Sequence, residues 1–254
     1  MRLVIIGSGN IAHFFASCWS GPHQIIRIIS RNSAHASALA HAFQASYGTS
    51  YDEIPPDADA CILAVNDDAL TEIAAKLRLS HQLVVHTSGS VSMEILQKIS
   101  SHHGVIYPLQ TIRAGIPVRH AFPVLIEASD PEARQLIRML ASHISDKILE
   151  ADAAKRRQYH LAAVYTNNFV YHLMTQVRWF CETHELAFDL LLPLLHETIT
   201  RIIDYPPFSQ QTGPAKRNDQ QTIQTHEQML ADHPALLELY RVFTDQIRKL
   251  YSDA

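Results

Sequence analysis

Apolar runs at residues 2–6, 24–29, 61–65, 83–86, 105–107 and 124–127, with a short one at 147–149, punctuate the first half of the chain. Between them, apolar residues recur every three or four positions, the spacing of an amphipathic helix. The runs predict strands, and their near-continuous apolarity predicts burial on both faces, as in a parallel sheet sandwiched by helices. The intervening periodic stretches predict helices over 10–19, 33–44, 67–78, 91–101 and 130–142, the last opened by Asp130 as N-cap and Pro131 as first helical residue. From Ala153 the strand signal stops. Helical periodicity covers 153–184, 188–204, 219–231 and 234–251, interrupted at Tyr205-Pro206-Pro207 and Thr212-Gly213-Pro214. The pattern is that of an α/β domain with a doubly wound parallel sheet over 1–150, then an all-α domain over 151–254, divided near Ala151.

The first strand runs directly into Gly7-Ser8-Gly9-Asn10-Ile11-Ala12 and then into a helix. A GxGxxA turn in this strand–turn–helix context is a dinucleotide-binding turn of the Rossmann type. Gly7 permits the reversal, Gly9 leaves room for pyrophosphate, and Ala12 lets helix and strand approach. Ser8, Asn10 and Ile11 place their N–H groups at a positive helix end. After the second strand comes Ser30-Arg31-Asn32-Ser33, without the carboxylate that an NAD-specific fold uses on the ribose hydroxyls. A guanidinium flanked by a hydroxyl and an amide suits a 2′-phosphate, which points to NADP(H). The other reading is a surface arginine in a helix-capping turn. Strand ends of an open parallel sheet are where ligands bind. Val65 and Asn66 are therefore placed on the cofactor, Thr87 and Ser88 near nicotinamide, and Ser90, Gln110 and Thr111 near substrate, with helix capping and ordinary turn chemistry as the alternatives.

A net charge of −4, with no Lys/Arg run longer than the triplet 155–157, argues against a nucleic-acid or anionic-membrane partner, so the expected partner is a small-molecule substrate. Three widely spaced cysteines suit a reducing compartment, and a cytoplasmic location is expected. The glycine turn interrupts the N-terminal apolar stretch too early for a signal peptide, and nothing approaches a transmembrane length. The 16 histidines include His102-His103, His184-Glu185 and His196-Glu197, none with the spacing of a metal site, so no metal is expected.

At about 100° per residue, the helix 153–184 carries His160, Val164, Asn167, Tyr171 and Arg178 along one line, with Ala162, Phe169, Leu173, Val177 and Phe180 opposite. His, Asn and Tyr on one stripe suit a cleft-lining row, or a core histidine with interhelical asparagine hydrogen bonds.

Taken together, GSGNIA, the Ser-Arg-Asn-Ser turn, AVNDDAL at 64–70, VVHTSGSVSM at 84–93, YPLQT at 107–111, HLAAVYTNNF at 160–169 and QTGPAKRND at 211–219 resemble one family over nearly the whole chain. It is the Rossmann-like family whose C-terminal half is domain of unknown function 2520, labelled NADP oxidoreductases of the deazaflavin-dependent type. The plan is similar to pyrroline-5-carboxylate reductase, ketopantoate reductase and 3-hydroxyisobutyrate dehydrogenase. The resemblance implies an NADP(H)-dependent oxidoreductase acting on a small carbonyl or imine. The alternatives are a non-catalytic NADP-binding sensor and hydride exchange between NADP and a deazaflavin. Hydroxyisobutyrate-type enzymes carry a catalytic lysine where this chain has Val164, ahead of Asn167-Asn168. His160, one turn earlier, is the expected proton donor in its place, with Asn167 and Asn168 orienting substrate. Apolar residues on several faces, as in 190–195 and 236–240, predict a homodimer through the helical half. The loop 211–217 would then offer Arg217 or Lys216 to a substrate carboxylate; the other reading is a solvated basic loop.

Overall fold

The computed structural model describes residues 1–118 and 120–251. Two compact units divide the chain, Met1–Tyr165 and Thr166–Ala254. The first is built on β1 (Arg2–Ile6), α1 (Asn10–Trp19), β2 (Gln24–Ile29), α2 (Ser33–Ala42), β3 (Ser46–Gly48), β4 (Ala60–Leu63), α3 (Asp67–Lys76), β5 (Leu83–His86), β6 (His103–Pro108), β7 (Val124–Ala128), α4 (Pro131–Ser142), β8 (Ile148–Glu150) and α5 (Ala153–Ala163). The strands form one sheet in the order β3-β2-β1-β4-β5-β6-β7-β8.

Side-chain alternation along β1 divides the core. Leu3 and Ile5 pack with Phe15 and Trp19 of α1 and with Ile137 and Leu140 of α4 on one face, where the Trp19 indole N–H donates to the Leu140 carbonyl at 2.9 Å. Val4 and Ile6 pack with Leu70 and Ile73 of α3 and with Leu96 on the other. Burial on both faces is why these strands read as unbroken apolar runs.

The structure departs from the expected pattern at four places. First, β7 pairs antiparallel with β6, whereas an all-parallel sheet was expected. Among the described residues of 109–123 there is no helix, and without a crossover helix the chain returns antiparallel. Second, the helix expected over 91–101 is a single 3₁₀ turn, Met93–Leu96. The carbonyl that would open an α-helical ladder is engaged elsewhere: that of Val91 accepts from Arg156. Third, β3 has no counterpart in the apolar pattern, because Ser-Tyr-Gly is a three-residue edge strand. Fourth, the long helix after 153 contains a π-helical segment, Val164–Asn168. The strand pattern puts the division of the chain near Ala151, whereas α5 clusters with the sheet and the compact units part at this π segment.

The second unit contains α6 (Phe169–Thr183), α7 (Leu192–Asp204), the short α8 (Pro207–Gln210), α9 (Gln220–Met229) and α10 (Pro234–Tyr251). Among the described residues, no helix is long and apolar enough to cross a membrane.

Candidate functional site

The turn between β1 and α1 opens onto a cavity of about 530 Å³. Gly7 has φ of 126°, and a Cβ there would lie 2.1 Å from the Ala64 carbonyl oxygen, so only glycine lets this turn pass the end of β4. A Cβ on Gly9, by contrast, would meet nothing within 4 Å. The first intrahelical donor of α1 is the His13 N–H, which leaves the N–H groups of Asn10, Ile11 and Ala12 as first-turn donors beside the cavity. Open space in front of Gly9 and a helix N-terminus at its edge fit the pyrophosphate of a dinucleotide. Ser8, Ser30, Arg31, Val65 and Asn66 line the same cavity.

Several of these side chains already have structural partners. Ser8 and Ser30 share a hydrogen bond at 2.8 Å, which ties the glycine turn to the end of β2. The Asn10 amide oxygen accepts from the Ala114 N–H at 3.1 Å. Asn32 and Asn66 are the N-caps of α2 and α3, accepting from the His35 and Ala69 N–H groups. Arg31 is largely exposed, with Glu72 as its counterion at 3.7 Å.

Along the same edge of the sheet, past β5, Thr87, Ser88 and Gly89 are buried in a small polar loop. The Ser88 hydroxyl accepts from the Ser90 and Val91 N–H groups, and the Ser90 hydroxyl donates to the Asp67 carboxylate. Tyr107, at the end of neighbouring β6, places its hydroxyl 3.0 Å from His160 Nδ1 on α5. A Cβ on Gly89 would come within 2.8 Å of both that ring nitrogen and Tyr107 Cζ, so glycine is what allows this pair to close over the loop. Burial raises the Tyr107 pKa and keeps the phenol protonated at neutral pH. A neutral phenol at the end of a strand is a group that can donate a proton. Gln110 and Thr111 follow Pro108, and the Gln110 side chain accepts from the Thr111 N–H at 2.8 Å.

Beneath this pair lies an ion pair that the linear sequence conceals. Arg156, one turn before His160, is fully buried and donates to the Glu127 carboxylate on β7 and to the Val91 carbonyl. One guanidinium thus joins α5, β7 and the loop after β5. His86 is also fully buried, with Nδ1 accepting from the Ser88 N–H at 3.2 Å. Burial, and then the nearby Arg156 cation, pull its pKa down to about 4.

Asn167 and Asn168 lie in the π-helical segment. Its i→i+5 pattern adds a residue to one turn, so the projection that aligns His160 with Asn167 and Tyr171 does not carry through it. In the helical unit, Arg217 is exposed in the loop after Gly213, whose neighbour Lys216 lies over the Tyr251 ring at 4.9 Å. Among the described residues, no three His, Cys, Asp or Glu side chains converge as metal ligands. Tyr107, Arg156 and Glu127 are absent from the sequence-based selection of site residues. Of these, Tyr107 carried a signal, as a polar residue at a strand end next to Pro108.

Residues 2–89 match the family described as NADP oxidoreductase coenzyme F420-dependent, and residues 122–247 match Domain of unknown function (DUF2520). A crystal structure from Bacteroides fragilis, provisionally designated an NADP oxidoreductase, is 34% identical, with a TM-score of 0.89 and 98% of each chain covered. An imine reductase from Myxococcus stipitatus, solved in complex with NADP+, is 12% identical with a TM-score of 0.69, covering 98% of this chain and 93% of its own. A 1-pyrroline-5-carboxylate reductase from Streptococcus pyogenes is 12% identical with a TM-score of 0.63, covering 98% of each chain. These two likenesses are of fold. No curated protein sequence matches the chain.

Proposed function

The chain belongs to the family that joins an NADP oxidoreductase domain to DUF2520, and on that premise we propose that it is an NADP(H)-dependent reductase of a small carbonyl or imine compound. The observation that carries this reading is the Tyr107–His160 hydrogen bond on the sheet edge that also bears the glycine turn. A binding protein needs the glycine turn alone; a proton donor held beside the loop at Thr87–Ser90 is what reduction of a polar double bond adds.

Gly7 to Ile11 would hold the pyrophosphate, Ser30, Arg31 and Asn32 the 2′-phosphate, and Val65, Asn66, Thr87 and Ser88 the ribose and nicotinamide. When bound, the cofactor supplies hydride. The Tyr107 hydroxyl gives its proton to the substrate oxygen or nitrogen, and His160 returns one to the phenolate. Ser90, Gln110 and Thr111 orient the substrate from the same loops. Asn167, Asn168 and Arg217 belong to the helical unit, and alanine substitutions in the same assay measure their part.

Purified protein with NADPH and a panel of keto acids and cyclic imines, followed at the nicotinamide absorbance, tests the reading. Once a substrate is found, His160→Ala and Tyr107→Phe lower kcat by about 10²- to 10⁴-fold and leave NADPH affinity unchanged. Unaltered turnover in both variants removes the pair from the chemistry. The description of the matched family as F420-dependent favours one second reading, hydride exchange with a deazaflavin, which needs no such donor. Turnover with deazaflavin that survives both substitutions supports that alternative. A sensor turns over nothing in either panel.

A second copy of the chain is the proposed occupant of the helical unit's apolar surface. Leu190, Leu194 and Ile203 are 79%, 67% and 78% exposed, and Leu194 borders a groove of about 230 Å³ lined also by Met174, Val177, Phe188 and Leu195. Apolar exposure on this scale is characteristic of an interface.

A further inference from the structure

One carboxylate on α3 is shared by two cations at the far end of the proposed cofactor cavity. Glu72 Oε1 accepts from Lys76 Nζ at 2.7 Å, and Glu72 Oε2 lies 3.7 Å from Arg31 Nη1 at the end of β2. The Lys76 pairing is an ordinary i,i+4 helix contact. The Arg31 pairing is not, because it joins the turn after β2 to α3, and both residues line the cavity. Arg31, Tyr51 and Glu72 line both the cavity in front of the glycine turn and an adjoining one of about 650 Å³ that includes Ser50, Lys76 and Arg78. All three charged side chains are substantially exposed, so the pairs are weak and exchange readily for another anion. Glu72 itself stays ionised at neutral pH, since the Lys76 hydrogen bond and charge hold its pKa below the usual value.

We propose that Glu72 sets the discrimination between 2′-phosphorylated and unphosphorylated nicotinamide dinucleotides. With the cavity empty, it is the counterion of Arg31 and Lys76. A 2′-phosphate displaces it from Arg31 and then sits beside a like charge, so two cations less one carboxylate face the dianion. A ribose with a free 2′-hydroxyl leaves the pairs intact and donates its hydroxyl proton to Glu72. The carboxylate therefore holds the preference for a 2′-phosphate below what Arg31 and Lys76 alone would give. This inference rests on the cofactor reading above.

Calorimetric titration of the ligand-free protein with NADPH, NADH, 2′,5′-ADP and 5′-AMP tests it. Removing one negative charge that lies within a screening length of a dianion, in a water-like surround, corresponds to about a fivefold gain in affinity at low ionic strength, fading as salt shortens that length. Glu72→Gln is thus expected to bind NADPH and 2′,5′-ADP about fivefold tighter, and NADH and 5′-AMP no tighter. Arg31→Ala is expected to weaken only the 2′-phosphorylated pair, by about 10- to 100-fold. Glu132→Gln on α4, outside both cavities, serves as the charge control. A wild-type preference for NADPH that Arg31→Ala erases but Glu72→Gln leaves unmoved overturns the role of Glu72 and keeps the cofactor reading. A wild type that binds both dinucleotides equally, with Arg31→Ala inert, overturns the cofactor reading itself.

Discussion

Protonation of His86 is a perturbation that needs no mutation. The imidazole is fully buried at the end of β5 near the Arg156 cation, and its pKa falls from an ordinary 6.5 to about 4. The sign follows from proton counting. Between these two values the unfolded chain binds a proton that the folded protein refuses, so stability is fully present above pH 6.5 and falls as pH drops toward 4. With those pKa values, the loss from His86 between pH 7.5 and pH 5 is about 2 kcal/mol, rising to about 3 kcal/mol once both states are protonated. Most carboxylates titrate below pH 5 and stay out of this window. Burial shifts His23 in the same direction, so a variant is needed to isolate His86. His86→Asn keeps a side-chain acceptor for the Ser88 N–H and removes the titration. Urea unfolding at pH 7.5 and 5.0 is expected to show a stability loss smaller in the variant by about 2 kcal/mol, and the His86 ring carbon resonance should stay at its neutral shift down to pH 5. Titration of that resonance near 6.5, or equal pH slopes in the two proteins, refutes the argument.

Gly89→Ala forces a Cβ to within 2.8 Å of Tyr107 Cζ and His160 Nδ1, so melting temperature should fall by an amount equivalent to about 1–3 kcal/mol, with turnover reduced more than NADPH affinity; unchanged melting would show that the pair moves aside freely. For the helical unit, sedimentation velocity at micromolar concentration should show a dimer that Leu194→Asp dissociates, whereas a monomeric wild type would leave its apolar surface without the proposed occupant.

How far such features are legible in a sequence depends on how local they are. The glycine turn is a contiguous run whose meaning is fixed by the strand before it and the helix after it, and both stand where the apolar pattern puts them. The β6–β7 reversal is a different matter. Strand direction is set by what connects two strands, and Val124–Ala128 reads the same in either orientation. The 3₁₀ turn at Met93–Leu96 likewise has helical periodicity around it; what competes with an α-helix is the capture of the Val91 carbonyl by Arg156, distant in sequence. The π segment defeats the helical projection for another reason, since periodicity arguments assume a constant number of residues per turn.

Arg156 shows where local reasoning about the site ends. In the run Lys155-Arg156-Arg157 all three cations look alike, yet the outer two are exposed and the middle one is fully buried. A buried guanidinium left without its carboxylate costs about 3–5 kcal/mol, so Glu127 and Arg156 hold each other in place although β7 and α5 are far apart in the chain. The one sequence trace of this pairing is its phase: Arg156 and His160 stand four residues apart and share a helix face. Because Arg156 also takes the Val91 carbonyl, α5 is pinned to the loop after β5 at the level where Gly89 meets His160. The imidazole is thereby set against the Tyr107 hydroxyl, and the geometry of the proposed proton donor comes from the Arg156 anchor together with the glycine that makes room for it.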